Sequence, residues 1–189
     1  MDIILASKSP RRKELMDLLD VSYRVEPSQY EENRDITLPR REQIEKLALG
    51  KAKEVFERTS GDRIVIGSDT LVYRDGKFYG KPQTEEKAKE MLKELQGVSH
   101  EVMTGLAILV EKDGEYFEHI SHDISTIHIK EMSEEEIDKW IKTGEALDKA
   151  GAYAIQGKFC VFIDKMEGSY FSTIGLPVHQ VYDVIKKYI

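Results

Sequence analysis

The sequence is poor in the residues that would mark a secreted, fibrous or membrane protein: one cysteine, one tryptophan and five prolines in 189 residues. A single cysteine excludes an internal disulfide. Cys160, set in Phe159-Cys160-Val161-Phe162, is expected to be a small buried hydrophobe. No apolar run approaches the roughly 20 residues that span a bilayer. Met1-Asp2-Ile3-Ile4-Leu5 enters a strand directly, without a basic leader or signal-peptide core, so the expectation is a cytoplasmic protein with no membrane partner. Positive charge is also in deficit. With 28 Lys and Arg against 35 Asp and Glu, the formal net charge is -7, which argues against extended nucleic acid as a partner and requires any anion site to be local. Repeats, linkers and low-complexity stretches are lacking. What remains is an ordinary globular composition, 40% hydrophobic and 33% charged, sufficient for one domain over 1–189 with two lobes sharing a cleft.

The run Ile64-Val65-Ile66 reads as a strand buried on both faces, and its apolar signal breaks at Gly67-Ser68-Asp69-Thr70. In open α/β sheets ligands gather beyond the carboxyl ends of strands. Asp69 at such an end is a candidate base or metal ligand, with Gly67 giving close backbone access. Taken alone, an aspartate that starts a turn explains the stretch better. Residues at other element ends shift that balance.

The first strand, Ile3-Ile4-Leu5-Ala6, runs through Ser7-Lys8-Ser9-Pro10-Arg11-Arg12-Lys13 into a helix with Leu15, Leu18 and Leu19 on one face. Ser9 suits an N-cap and Pro10 a first helical position. Three cations in that first turn oppose the helix dipole, at some tenths of a kcal/mol each (~0.3–1), unless an anion sits there. Ser7, Ser9, Arg11 and Arg12 therefore read as a phosphate cradle ahead of a solvated basic face, although P-loop spacing is absent. The polar segment 28–34 reads as a loop in which Glu31 and Glu32, taken alone, are simple solvation. A helix is expected from about Thr37 or Pro39 to Arg58, with the stripe Ile44, Leu47, Ala48, Lys51, Ala52 and Val55. Lys51 stands where an apolar residue belongs, so its ammonium either snorkels to water or enters a cleft.

A strand over 63–74, interrupted at 67–70, then turns at Asp75-Gly76 into a hairpin. Lys81, pinned between Gly80 and Pro82, is a rigidly placed cation. Thr84-Glu85-Glu86 opens a helix that Gly97 stops, strands over 101–111 and 116–130 form a second hairpin, and Ser133 with Glu136 forms a capping box. The five histidines lack metal-ligand spacing. Residues 145–157 are rich in small side chains, which suits either close approach to a ligand or tight packing, and Gln156 offers a donor and an acceptor to a base edge. A strand over 159–165, a polar turn at 167–169 and a last helix from Leu176-Pro177 complete the chain. Cations for a polyphosphate, carboxylates for a hard divalent ion and a carboxylate to activate water are the parts of phosphoryl or nucleotidyl chemistry, provided that the fold brings them together.

In order along the chain, Ser7-Lys8-Ser9-Pro10-Arg11-Arg12, Gly67-Ser68-Asp69-Thr70, Lys81-Pro82, Thr104-Gly105, Gly144-Glu145-x-x-Asp148-Lys149-Ala150-Gly151-Ala152-Tyr153 and Gly175-Leu176-Pro177 resemble the Maf family of nucleoside triphosphate pyrophosphatases. The resemblance covers essentially the whole chain. It implies an elongated α/β fold, a mixed sheet with flanking helices related to inosine triphosphate pyrophosphatases, two lobes around a deep cleft, often a homodimer, and a divalent cation, Mg2+ or Mn2+. It also implies hydrolysis of a nucleoside triphosphate substrate to the monophosphate and pyrophosphate. By motif, Asp69 is the proton acceptor, Glu32 and Asp69 hold the metal, and Ser9, Arg12, Lys51 and Lys81 bind phosphate. Arg11, Thr70 and Gln156 resemble the positions of the branch acting on dTTP and UTP. An alternative from another class is a nucleotide-binding regulator of cell division and septum formation that does not turn substrate over. Two departures from the family pattern are Glu31-Glu32, where Asp-Glu is common, and Gly50 before Lys51, where a longer polar residue is common.

Overall fold

A computed structural model describes residues 1–32 and 37–189. Asn33 and Arg34 of the expected polar loop lie outside the described residues. Among the described residues, seven strands form one mixed sheet in the order β2-β1-β3-β5-β6-β7, with β4 added to β3. They are β1 (Asp2–Leu5), β2 (Arg24–Val25), β3 (Arg63–Arg74), β4 (Lys77–Tyr79), β5 (Ser99–Lys112), β6 (Glu115–Ile129) and β7 (Ile163–Glu167). The helices are α1 (Pro10–Asp17), α2 (Arg40–Glu57), α3 (Glu85–Leu95), α4 (Glu134–Ile141), α5 (Tyr170–Ile174) and α6 (Val178–Ile185). β1 pairs in parallel with β2 and β3, whereas the β3–β4 and β6–β7 pairs are antiparallel. This is the mixed α/β fold expected from the sequence. No helix among the described residues is long and apolar enough to cross a membrane.

The chain divides into two compact units. One comprises Met1–Asp69, Thr104–Asp123 and Gly175–Ile189, the other Thr70–Met103 and Ile124–Ile174. In the first unit, Ala48, Ala52 and Val55 of α2 pack with Ile4, Val65, Ala107 and Leu109. Small residues make this contact close. A Cβ on Gly67 would fall 2.5 Å from the Ala48 carbonyl oxygen, and one on Gly105 would overlap the Ile44 carbonyl. The helix backbone thus lies directly on the strands, which brings the side chain of Lys51 within reach of β3.

The second unit has its own core, in which Val72, Leu92, Leu95, Ile127, Trp140 and Phe159 are buried. Its local signals match the sequence. Asp75 and Gly76 both take positive φ (48° and 83°), as a tight two-residue turn between right-twisted strands requires. Thr84 accepts from the Lys87 amide at 3.2 Å, and Ser133 with Glu136 closes a full capping box.

Four expectations change. β3 runs through 67–70 without a break, so Asp69 is mid-strand and not at a strand end. Leu18 is 63% exposed because α1 stops at Asp17 and Met16 takes the inward position instead. Residues Gly157–Phe162 coil as a 3-10 turn before the strand begins at Ile163. Three residues per turn send Phe159 and Phe162 inward, their rings 5.3 Å apart, and Cys160 outward, so the thiol is exposed and not a buried hydrophobe. The short helix α5 follows a turn that the sequence presented only as polar.

His100 in the second unit is 3% exposed, with Nε2 2.6 Å from the Tyr153 hydroxyl and Nδ1 unpartnered among the described residues. Burial pushes its pKa from 6.5 down to about 4. Unfolded chains take up a proton here that the folded chain refuses, so the contribution of His100 is constant above the unfolded pKa and stability is lost as pH falls from 6.5 toward about 4. The loss is on the order of 3 kcal/mol. Urea unfolding of the wild type and of His100→Gln at about pH 7 and about pH 4.5 will show a smaller stability gap between the two pH values in the variant. An equal gap would refute the assignment.

Candidate active site

The turn from β1 into α1 places Ser7, Ser9, Arg11 and Arg12 together. Ser9 occupies the N-cap position in extended conformation without capping through its own side chain, Pro10 begins the helix, and no acid stands in the first turn. The Ser7 hydroxyl oxygen, buried, accepts from the Ser9 amide at 3.2 Å and from Nη1 of Arg12 at 3.3 Å. Nε of Arg12 donates to the Gly175 carbonyl at 2.8 Å. Two hydrogen bonds from different edges of the guanidinium fix its plane. Its pKa is lowered, chiefly by burial and also by Arg11, while Asp69 and then Glu32 act in the opposite direction. The site therefore assembles two arginines, two hydroxyls and the amide end of a helix, with the carboxylates of Asp69 and Glu32 near enough to act on Arg12.

Those carboxylates meet on Lys51. Its side chain is only 13% exposed, and Nζ donates to Oδ1 of Asp69 and lies 2.7 Å from Oε1 of Glu32. Of the two open alternatives for this lysine, the ammonium takes the inward one. It contacts carboxylates, whereas the sequence assigned it to phosphate. Asp69 is 6% exposed and its Oδ2 has no hydrogen-bond partner among the described residues. A buried acceptor left this way costs about 1–3 kcal/mol, and such atoms call for a ligand or a catalytic role. Two hard oxygen donors around one positive charge fit the chemistry of Mg2+ or Mn2+, which commonly take one or two carboxylates and complete their shell with water and substrate phosphates. Among the described residues, no three or more of His, Cys, Asp and Glu come together as a self-sufficient cage.

The remaining sequence candidates, Thr70, Lys81 and Gln156, belong to the second unit. Lys81 is exposed, and the turn carrying it is tied down where the Gly151 amide donates to the Gly80 carbonyl at 3.1 Å. The small residues at 150–152 serve tight packing. Gly151 takes φ 69°, and a Cβ there would press on Leu95 and Val72 at 3.1 Å, while Nε1 of Trp140 donates to the Ala152 carbonyl at 2.8 Å. Together with the His100–Tyr153 hydrogen bond, these contacts fix the backbone leading to the half-exposed Gln156.

Sequence reading missed the supports. Ser68 is fully buried, and its hydroxyl lies 2.8 Å from the Gly105 carbonyl and 2.9 Å from that of Gly175. The carbonyl of Gly175 thus receives both Arg12 and Ser68. The motifs Thr104-Gly105 and Gly175-Leu176-Pro177 carried the signal, but not the reason, since backbone acceptors leave no trace in side-chain chemistry. A groove of about 370 Å³ on β5, β6 and α6, lined by Leu106, Ile108, His119 and Gln180 among others, contains none of these residues.

Comparison with known proteins finds relatives along nearly the whole chain. Two relatives named dTTP/UTP pyrophosphatase, from Lachnoclostridium phytofermentans and Desulforamulus reducens, are each 41% identical over 187 residues, covering 98% of this chain and 94% and 96% of theirs. Among solved structures, a nucleoside-triphosphatase / dITP/XTP pyrophosphatase from Mycobacterium abscessus aligns at 17% identity over 68% of this chain and 74% of its own, with a TM-score of 0.43. The Staphylococcus aureus Ham1 protein aligns at 13% identity over 99% of both chains, with a TM-score of 0.46. These overall structural similarities are low, and the assignment rests on sequence. The family model described as Maf-like protein matches residues 2–188, and the chain belongs to that family.

Proposed function

We propose that this enzyme hydrolyses dTTP and UTP to the monophosphate and pyrophosphate, with Asp69 as the base. The relatives at about 41% identity, whose names state this activity, support the reading. The single observation that carries the mechanism is the state of Asp69. Oδ1 is fixed by Lys51, whereas Oδ2 is buried with no partner among the described residues. A carboxylate oriented through one oxygen presents the other to a water molecule. That water's oxygen bonds to the α-phosphorus, the bond from phosphorus to the oxygen bridging α and β breaks, and the water's proton passes to Asp69 as pyrophosphate leaves. A bound Mg2+ or Mn2+, held by Glu32 and Asp69, would neutralise charge on the triphosphate oxygens.

The other residues bind and orient. Ser7, Ser9, Arg11 and Arg12 receive phosphate oxygens at the α1 turn, with Arg12 held in plane by Ser7 and Gly175 so that its fork is set before substrate arrives. Lys51 orients Asp69 through Oδ1 and, with Lys81, supplies positive charge to the phosphates. Gln156 reads the imide edge of uracil or thymine through its amide, and Thr70 supplies a hydroxyl.

Asp69→Asn will lower kcat by about 10²- to 10⁴-fold while nucleotide binding stays within a few-fold, as measured by pyrophosphate release and by calorimetry. Gln156→Leu will raise KM for dTTP and UTP by about tenfold and leave kcat nearly unchanged, since it removes hydrogen bonds made equally in ground and transition states. A panel of triphosphates, with and without Mg2+, will give pyrophosphate as first product. Orthophosphate as first product would overturn the reading, and tight binding without turnover in the wild type would favour the regulator.

A further inference from the structure

The glycine that departs from the family pattern has a partner. Gly50 lies within α2, where glycine is unfavourable relative to alanine. The ring of Tyr30 covers it, so that a Cβ at Gly50 would fall 2.6 Å from Cε1 and Cε2 of Tyr30 and closer still to Cζ. Gly50, Glu54 and Arg58 follow at intervals of four and form one stripe along the helix. The whole stripe holds the segment before Glu32. Oε2 of Glu54 accepts from the Gln29 amide at 2.8 Å, Nη2 of Arg58 donates to the Pro27 carbonyl at 2.7 Å, and Nη1 of Arg58 pairs with Glu26. Two residues beyond Tyr30, Glu32 reaches Lys51, the residue next to Gly50.

We propose that Tyr30 seated on Gly50 is a latch that positions Glu32 against Lys51 and Asp69, making Tyr30 and Gly50 positioning residues for the reaction. The hydrogen bonds to Glu54 and Arg58 hold the segment's backbone further back, and the aromatic contact, two residues from Glu32, exists because residue 50 has no side chain. Glu32 itself is 47% exposed, so the backbone that carries it bears on where its carboxylate meets Lys51. The inference rests on the pyrophosphatase reading for its kinetic consequence, though not for the contact.

The test combines kinetics with hydrogen exchange. Gly50→Ala and Tyr30→Ala will each lower kcat by about tenfold with nucleotide KM within about twofold, the order expected when a supporting group shifts by about an ångström. Tyr30→Phe, which keeps the ring, will behave as wild type. In a Glu32→Gln background, Gly50→Ala will cost nothing further, because both changes remove the same carboxylate contact. In the protein without nucleotide, amide exchange over residues 26–32 will quicken in Gly50→Ala and Tyr30→Ala and stay slow in Tyr30→Phe. Independent, multiplying effects of Gly50→Ala and Glu32→Gln, or unchanged exchange in Tyr30→Ala, would overturn the latch. A wild type that turned over no triphosphate would instead remove the pyrophosphatase reading, and the exchange comparison would still decide whether the latch exists.

Discussion

The site depends on one ammonium placed between two carboxylates. Lys51 contacts Asp69 on its buried side and Glu32 on its open side, and the two contacts differ in kind. With Asp69 and the lysine stem sheltered, attraction there is weakly screened, and removal of the cation would strand a charge away from water. Toward Glu32 the pair is half in solvent, where such a contact contributes little by itself and must be supported by packing. One lysine therefore anchors a buried acid and gathers an exposed one.

The placement of Lys51 follows from the least conspicuous residues in the chain. Ala48 and Ala52 of α2 lie on Gly67 of β3, and Gly105 of β5 accommodates the Ile44 backbone. Larger side chains would lift the helix off the sheet and carry the ammonium away from Asp69. Deletion of side-chain volume, usually a loss of packing, here sets the distance between two charged groups. Across the same unit, Ser68 stands between carbonyls of Gly105 and Gly175, so the residue before Asp69 is held in place and the carboxylate projects from a fixed backbone.

How far all this could be read from the sequence varies with the kind of signal. Hairpins at Asp75-Gly76 and Asp113-Gly114, the capping box at Ser133 and the inward stripe of α2 were legible, because each follows from local backbone preference or a 3.6-residue period. The inward turn of Lys51 was legible only as an alternative, since periodicity marks a face and says nothing about what the face meets. Cys160 was misjudged from its apolar neighbours and Leu18 from a helix face, because exposure was decided by a 3-10 turn and by where a helix stopped. The continuity of β3 through Gly67–Thr70 was hidden, since a break in hydrophobicity within a strand looks the same as its end. Gly50 registered only as a departure, and its meaning needed Tyr30, twenty positions earlier. Family motifs identified the carbonyl-bearing glycines without explaining them, because a main-chain oxygen acts through position alone.

The hydrogen bond from Arg12 to the Gly175 carbonyl joins residues separated by 163 positions. A chain synthesised from its amino end makes that arginine 163 positions before its acceptor. Until Gly175 is made, the guanidinium lacks the partner that fixes its plane. An incomplete product of translation that stops before Gly175 therefore carries the whole Ser-Pro-Arg-Arg turn without the carbonyl that fixes the plane of its second guanidinium.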